Sequence, residues 1–442
     1  MKLYSTRDPG HEVDLREAVL RGLPPDNGLY MPRDLHRLEP IFLQRMAEYD
    51  FPDVAYQVAK AIIGDGLPDA ELREIVYDSI TFPAPLLKLN REMFILELFH
   101  GPSLAFKDFG ARFMARLMSY FNRDEAQDLI ILVATSGDTG GAVAAGFYRT
   151  PGIQVVILYP SGKVSPLQEK QLTTLGENVH ALEVEGTFDD CQALVKQAFL
   201  DQGLRAQMRL SSANSINIAR LIPQTFYYAE AIKQLPPDSH RPTTFCIPSG
   251  NFGNLTAGLL GREIGLPIDH FIAATNLNDV VPQYLSGGAF KPKPSVRTLS
   301  NAMDVGNPSN FDRMLDLFSE ETGKSSTWNN MRQHISGYSF DDSDTRRAMR
   351  EVYEQYGYII DPHGAVGYLA AKNHLAHQPR SRVVILETAH PAKFKAEVEQ
   401  TIGRAVDVPE RLQRLADLPK VATHLPADYD PFRHWLQNNL GQ

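Results

Sequence analysis

Lys107 lies in Leu104-Ala105-Phe106-Lys107-Asp108-Phe109-Gly110, an apolar stretch that leads into a helical pattern from Arg112 to Met118. A charged amine near a helix amino terminus meets the positive end of the peptide dipole, and burial opposes its charge as well. Both effects favour the neutral amine that attacks a carbonyl to form a Schiff base. The same side chain could instead pair with Asp108 or run its stem out to solvent.

Two glycine loops could hold anions. Ser249-Gly250-Asn251-Phe252-Gly253-Asn254 follows an apolar run and precedes the helical pattern Leu255 to Ile264. Its glycines let backbone amides approach an anion, and the helix amino terminus adds positive potential. No Lys-Ser/Thr follows the second glycine, and the spacing is not that of a dinucleotide fingerprint. A plain turn with an Asn cap is the other reading. Thr135-Ser136-Gly137-Asp138-Thr139-Gly140-Gly141 also precedes a helix, and its hydroxyls and amides could hold a carboxylate or phosphate. The alternative there is a helix capped by Asp138 or Thr139. Asn214-Ser215-Ile216-Asn217-Ile218-Ala219-Arg220 sets polar groups and a guanidinium at near-helical spacing. Such an array can grip an oxyanion, or it can be a solvated helix face. No His-Glu-x-x-His and no Cys/His cluster is present, so no catalytic metal is expected.

These segments need elements to position them. Met93 to Leu98, Leu129 to Ala134, Gln154 to Leu158, Thr244 to Ile247, Phe271 to Ala274 and Val383 to Leu386 are short apolar runs. Each ends in a loop such as Pro160-Ser161-Gly162-Lys163 or Glu387-Thr388-Ala389-His390, and helical patterns follow. Strand, polar loop and helix in repetition predict an α/β protein with parallel sheets, whose ligands bind beyond the carboxyl ends of the strands. The first eighty residues read as mostly helical, with helices over Asp14 to Arg21 and Pro52 to Ile63 around a turn-rich Gly22 to Gly28. Asp124 to Gln224 holds two strand-loop-helix units of its own. Pro282 to Tyr338 is rich in Gly, Pro, Ser and Asn and reads as an irregular excursion, and the chain after Val406 as a terminal appendage.

The 442 residues are 43% hydrophobic and 22% charged, ordinary for a globular chain of two to three domains. A net charge of −9 argues against a broad nucleic-acid footprint. Cys191 and Cys246 do not suggest a disulfide framework, which fits a reducing compartment. The polar amino terminus and the lack of a long apolar run predict a cytoplasmic protein without a membrane segment.

Taken together these motifs resemble the threonine synthases, members of the tryptophan-synthase-β-like (fold type II) family of pyridoxal-phosphate (PLP) enzymes, in their longer bacterial and fungal form. The resemblance is carried by Tyr4 to Arg7, Gly22 to Tyr30, His100 to Asp108, Ser136 to Gly140, Pro248 to Asn254, Asp361 to Gly367 and Thr388 to Phe394. It implies two open, twisted, mainly parallel α/β lobes plus a mostly helical amino-terminal domain. The implied division is 1–80 for that domain, 81–123 with 225–405 for the large PLP-binding domain, 124–224 for the small domain, and 406–442 for the tail.

The resemblance also implies roles. Lys107 would carry PLP as a Schiff base and shuttle protons. Ser249 and Gly250 through Asn254 would bind the cofactor phosphate, and Thr388 would face the pyridine nitrogen with a hydroxyl. Ser136, Gly137 and Thr139 would hold the substrate carboxylate. Asn214, Ser215 and Arg220 would grip the substrate phosphate, with Lys163 as an additional candidate. Asp138 stands near the cofactor's phenolic oxygen, where many relatives in the wider fold type carry Asn. A carboxylate there must be protonated, tilted away or offset by a neighbouring donor. The implied reaction converts O-phospho-L-homoserine and water into L-threonine and phosphate, by a monomer or a homodimer. Two rivals are a phospho-lyase of the same build that releases 2-oxobutyrate and a non-catalytic protein that binds a phosphate ligand.

Overall fold

Apolar runs with aliphatic side chains on both faces form strands when helices cover the sheet on either side. In chain order the strands are β1 (Lys2–Ser5), β2 (Glu12–Asp14), β3 (Tyr30–Pro32), β4 (Leu86–Lys88), β5 (Met93–Glu97), β6 (Leu129–Ala134), β7 (Ile153–Pro160), β8 (Val179–Glu185), β9 (Arg209–Ser212), β10 (Thr243–Pro248), β11 (His270–Thr275), β12 (Ile335–Ser339), β13 (Arg382–Glu387) and β14 (Thr423–Pro426). The computed structural model describes residues 1–135, 137–238, 240–319 and 324–441, without the side chains of 324 and 325.

One sheet has the order β12-β11-β10-β13-β5-β4 and is parallel except for β4, which runs antiparallel to β5. A second sheet, β14-β8-β7-β6-β9, is parallel throughout. Phe245 of β10 pairs with Phe271 and Val384 on its two sides, and all three are fully buried. The helix Lys107–Asn122 packs against the helix Asp138–Phe147 at Gly146, where a Cβ would lie 2.9 Å from the backbone of Ala111. That close approach seats the helix of Lys107 against a helix of the second sheet.

The amino-terminal region has the expected helices Leu15–Arg21 and Phe51–Ile63, capped by Asp14 and Asp50. It also forms a small antiparallel sheet, β2-β1-β3, that the sequence pattern does not reveal. Strands of three or four residues are too short to show an alternation. The stretch 124–224 holds four strands rather than two, because β8 and the half-polar β9 add to the expected pair. The excursion 282–338 contains the helices Phe311–Leu317 and Lys324–His334 and the start of β12. Its loop is tied back by Asp304, whose carboxylate accepts from Asn276, Asn278 and Thr298. The segment after Val406 joins the second sheet, since β14 lies beside β8 and the helix Tyr429–Leu440 buries Phe432 and Leu436.

Candidate active site

The segment before Lys107 is bonded to the end of β13. Leu98 N donates to Glu387 O at 3.0 Å, Phe106 N to Thr388 O at 2.9 Å, and His390 N to Leu104 O at 3.1 Å. Leu104 holds a left-handed conformation at φ 59°, rare for such a side chain and frequent where a site dictates the backbone. Lys107 then opens the helix Lys107–Asn122. Its amine has no hydrogen bond or ion pair among the described residues. Burial pulls its pKa down to about 8; Asp138 pulls the other way, while Lys393 and Arg220 lower it further. Lys107 does not pair with Asp108. That carboxylate turns back to accept from Ser103 N at 2.9 Å, and burial pushes it up to about 6.

Beyond β10, Ser249 is buried and donates to Ile247 O at 2.9 Å. A Cβ on Gly250 would stand 2.7 Å from Ala302 O and 2.9 Å from Met303 Cα, so only glycine fits there. Phe252 takes a left-handed conformation at φ 58° and leads into the helix Gly253–Glu263 without a side-chain cap. This excludes the Asn-capped turn and leaves the helix's first amides without intrahelical acceptors. Asn251 is exposed and accepts from Ser309 N at 3.4 Å and Oγ at 3.3 Å. Asn254 Oδ1 accepts from Tyr227 at 2.7 Å and Tyr228 at 2.9 Å. Its Nδ2 is a buried donor with no partner.

In the other glycine loop, Ser136 lies outside the described residues. Thr135 Oγ1 accepts from Gly137 N at 3.1 Å and Gly140 N at 2.9 Å. The helix Asp138–Phe147 has Gly137 at its cap with no side-chain bond, so neither Asp138 nor Thr139 caps it. Instead Asp138 forms a buried ion pair with Lys393 at 2.6 Å and accepts from Gln168 Nε2 at 3.0 Å. Burial alone would raise this carboxyl. Lys393 and Lys107, with the two hydrogen bonds, outweigh that and hold it well below the usual carboxylate range. Of the three options for a carboxylate here, the structure has a neighbouring donor.

Arg220 is no solvated helix face. It is 3% exposed, its Nη1 donates to Ala213 O at 2.7 Å, and its Nε is buried without a partner. Among the described residues no carboxylate pairs with it, and burial lowers its pKa to about 10. A Cβ on Gly110 would lie 2.7 Å from that Nε, which sets the guanidinium against the helix of Lys107. Asn214 and Ser215 are half-buried, and neither side chain has a partner among the described residues. Ser215 Cβ stands 3.8 Å from where a Cβ on Gly253 would be, so this array borders the 249–254 loop. Thr388 is buried, and its hydroxyl has no protein partner among the described residues. Thr139 is half-buried and likewise free, while Lys163 is exposed on the loop after β7.

Sequence reasoning overlooked Lys393, Gln168, Tyr227 and Tyr228. Lys393 stands inside the Thr388 to Phe394 motif, but nothing in its neighbours marks it as buried. The tyrosines fall in the apolar run Phe226-Tyr227-Tyr228-Ala229, a pattern that signals core rather than a polar anchor.

Three family profiles match the chain. Residues 78–389 match "Pyridoxal-phosphate dependent enzyme", residues 2–80 "Threonine synthase N terminus", and residues 364–435 "Threonine synthase, C-terminal". The chain is 45% identical to a threonine synthase of Escherichia coli over 439 residues, which is 99% of this chain and 100% of the relative. It is equally identical to one of Serratia marcescens over 99% of both chains. The crystal structure of the Escherichia coli threonine synthase superposes with a TM-score of 0.90 over 99% of this chain and 100% of that one. The PLP-bound threonine synthase of Brucella melitensis, 33% identical, gives 0.93 over the whole of both chains.

Proposed function

The chain belongs to the threonine synthase family of PLP enzymes, and from that premise we propose how its residues divide the reaction. The enzyme is a PLP-dependent carbon–oxygen lyase that converts O-phospho-L-homoserine and water into L-threonine and phosphate.

The residues suit this cofactor. Lys107 offers an unbonded amine, its pKa lowered to about 8 by burial, for its aldehyde. The 249–254 loop offers helix amides and the orphaned Asn254 Nδ2 for its phosphate. Thr388 offers a free hydroxyl for its ring nitrogen. When bound, PLP supplies an electron sink for charge that develops beside the substrate's amine-bearing carbon. In our reading Ser249 through Asn254 fix one end of it, Thr388 and Asp138 flank the ring, and Gly137, Thr139 and Ser136 orient the substrate carboxylate. Arg220, Asn214 and Ser215 hold the substrate phosphate while it leaves. Lys107 Nζ takes the α-proton and returns protons, since an amine titrating near neutrality can do both.

The observation that carries the substrate assignment is Arg220: a buried guanidinium with an unpaired Nε and, among the described residues, no ion-paired carboxylate. Such a group calls for an oxyanion brought in from outside. Product analysis with O-phospho-L-homoserine tests the reading. Threonine with phosphate is the expected result, and 2-oxobutyrate with phosphate would show elimination without water addition.

We further propose the division 1–80, 81–123 with 225–405, 124–224 and 406–442. It is supported by the amino-terminal profile ending at 80 and by the two separate, mainly parallel sheets. A cytoplasmic setting is proposed from the two buried free cysteines. Among the described residues no helix is long and apolar enough to cross a membrane. The net charge of −9 disfavours nucleic acid as a partner.

A further inference from the structure

Lys393 belongs to no role assigned above, yet it sits at the centre of the charged groups. Its Nζ donates to Ser103 O at 2.9 Å and pairs with Asp138 at 2.6 Å, and it is 5% exposed. Ser103 precedes Lys107 on the segment bonded to β13, whereas Asp138 opens a helix of the second sheet. Gln171 Nε2 reaches the same Ser103 carbonyl at 3.0 Å from that second side. Lys393 therefore bridges the two lobes beside the reactive amine.

The charges facing Lys107 can be named element by element. Asp138 comes from the helix Asp138–Phe147, Lys393 from the turn after β13, and Arg220 from the helix Ile218–Leu221. Asp108, on its own helix, is turned onto Ser103 N. The charges felt by Asp108 are those of Lys393 and Arg112, and it in turn acts on Arg220 and Arg411. Asp138 is faced by Lys393, Lys107 and Gln168. A single carboxylate thus stands between two lysines and is bonded to only one of them.

We propose that Lys393 is a positioning residue: it engages the Asp138 carboxylate so that the amine of Lys107 is left without a counter-ion and reacts as a free base. Were Lys393 absent, Asp138 would turn to the remaining lysine and hold it as an ammonium. This also explains why a carboxylate is tolerated at 138, since Lys393 neutralises its charge.

The inference rests on the reading of Lys107 as the residue that binds PLP. In that step the nitrogen lone pair forms a bond to the aldehyde carbon, and both amine protons leave with the aldehyde oxygen as water. The step needs the unprotonated amine. The test follows PLP uptake by the full-length protein after its cofactor has been removed. The imine absorbance gives the rate from about pH 6 to about pH 10, and borohydride reduction with peptide mapping locates the adduct. In the unaltered protein the rate rises with pH through a midpoint near 8. Lys393→Met raises that midpoint by about one pH unit or more, because an attracting charge is released and a repelling one removed. Asp138→Asn shifts it downward. The double variant lies below Lys393→Met.

A structural role for the pair would disturb both single variants in the same sense, so opposite shifts are the signature. An unmoved or lowered midpoint in Lys393→Met overturns the inference. If that variant does not fold, an unmoved or raised midpoint in Asp138→Asn does so instead. An adduct on any lysine other than Lys107, Lys393 included, would overturn the underlying reading. An adduct on Lys107 with an unmoved midpoint would overturn this inference alone.

Discussion

The two glycine loops look alike in sequence and are held in different ways. The 249–254 loop is fixed inside its own lobe, by Ala302 against Gly250, Ser309 against Asn251, and two tyrosines on Asn254. The loop of 137–141 is held by Thr135 and Gln168 of its own lobe and is also tied across the lobes by the Asp138–Lys393 ion pair. The first is a packed socket, suited to a cofactor that stays through every turnover. The second is an electrostatic latch, suited to a wall that must admit and release a substrate. Lys107 feels the charge of Asp138 in the second of these loops.

The largest effect tests whether the socket works without the amine. Lys107→Ala should abolish the imine absorbance and cut turnover by roughly four orders of magnitude or more. If the socket is preformed, this variant still binds PLP noncovalently, as equilibrium dialysis would show. Complete loss of binding would mean that the loop is organised only through Lys107.

Alanine at one glycine of each loop gives a direct contrast. At Gly250 the new methyl meets backbone at 2.7 and 2.9 Å, which cannot yield without moving residues 302–303. At Gly141 the nearest atoms are those of the Gln171 side chain at 3.3 and 3.4 Å, which can shift. Gly250→Ala should weaken PLP binding about a hundredfold, and Gly141→Ala no more than a few-fold, both read by titration. Equal losses would erase the distinction between socket and latch.

Asn254→Ala probes the socket's anchor. It removes the side-chain acceptor shared by two buried tyrosines, although Tyr228 keeps the carbonyl of residue 254 at 2.8 Å and Tyr227 keeps Gln224 Oε1 at 3.4 Å, so the cost is about 1 kcal/mol. Thermal unfolding should move down even without PLP, which separates a structural loss from a lost ligand contact.

The contrast also separates what is legible along the chain from what is not. Strand ends, glycine loops and Lys107 are legible, because apolar runs, glycine pairs and helix starts are local signals. Arg220 is legible as a candidate, but its burial is not. The pairing of Asp138 with Lys393 joins residues 255 positions apart, one opening a helix and the other in the turn after β13, and no local period encodes it. The same holds for β14, whose four residues find their partner strand only through the folded second sheet. Chemistry confined to one loop can be read along the chain; a latch made by two lobes cannot.

Lys163 marks the outer limit of the latch and should show the smallest effect. Among the described residues it has no side-chain partner, and it is exposed on the loop after β7. An ammonium in water is well hydrated, and its attraction for a phosphate is screened within about 10 Å at ordinary ionic strength. Arg220, buried and without an ion-paired carboxylate among the described residues, is screened far less. Lys163→Ala should therefore raise KM for the phosphorylated substrate by roughly threefold or less and leave kcat unchanged, with the difference fading as salt is added. Arg220→Met should lower kcat/KM by about two orders of magnitude at any salt concentration. A large, salt-insensitive loss in Lys163→Ala would mean that the loop after β7 folds inward over the substrate. The latch would then extend well beyond Asp138 and Lys393.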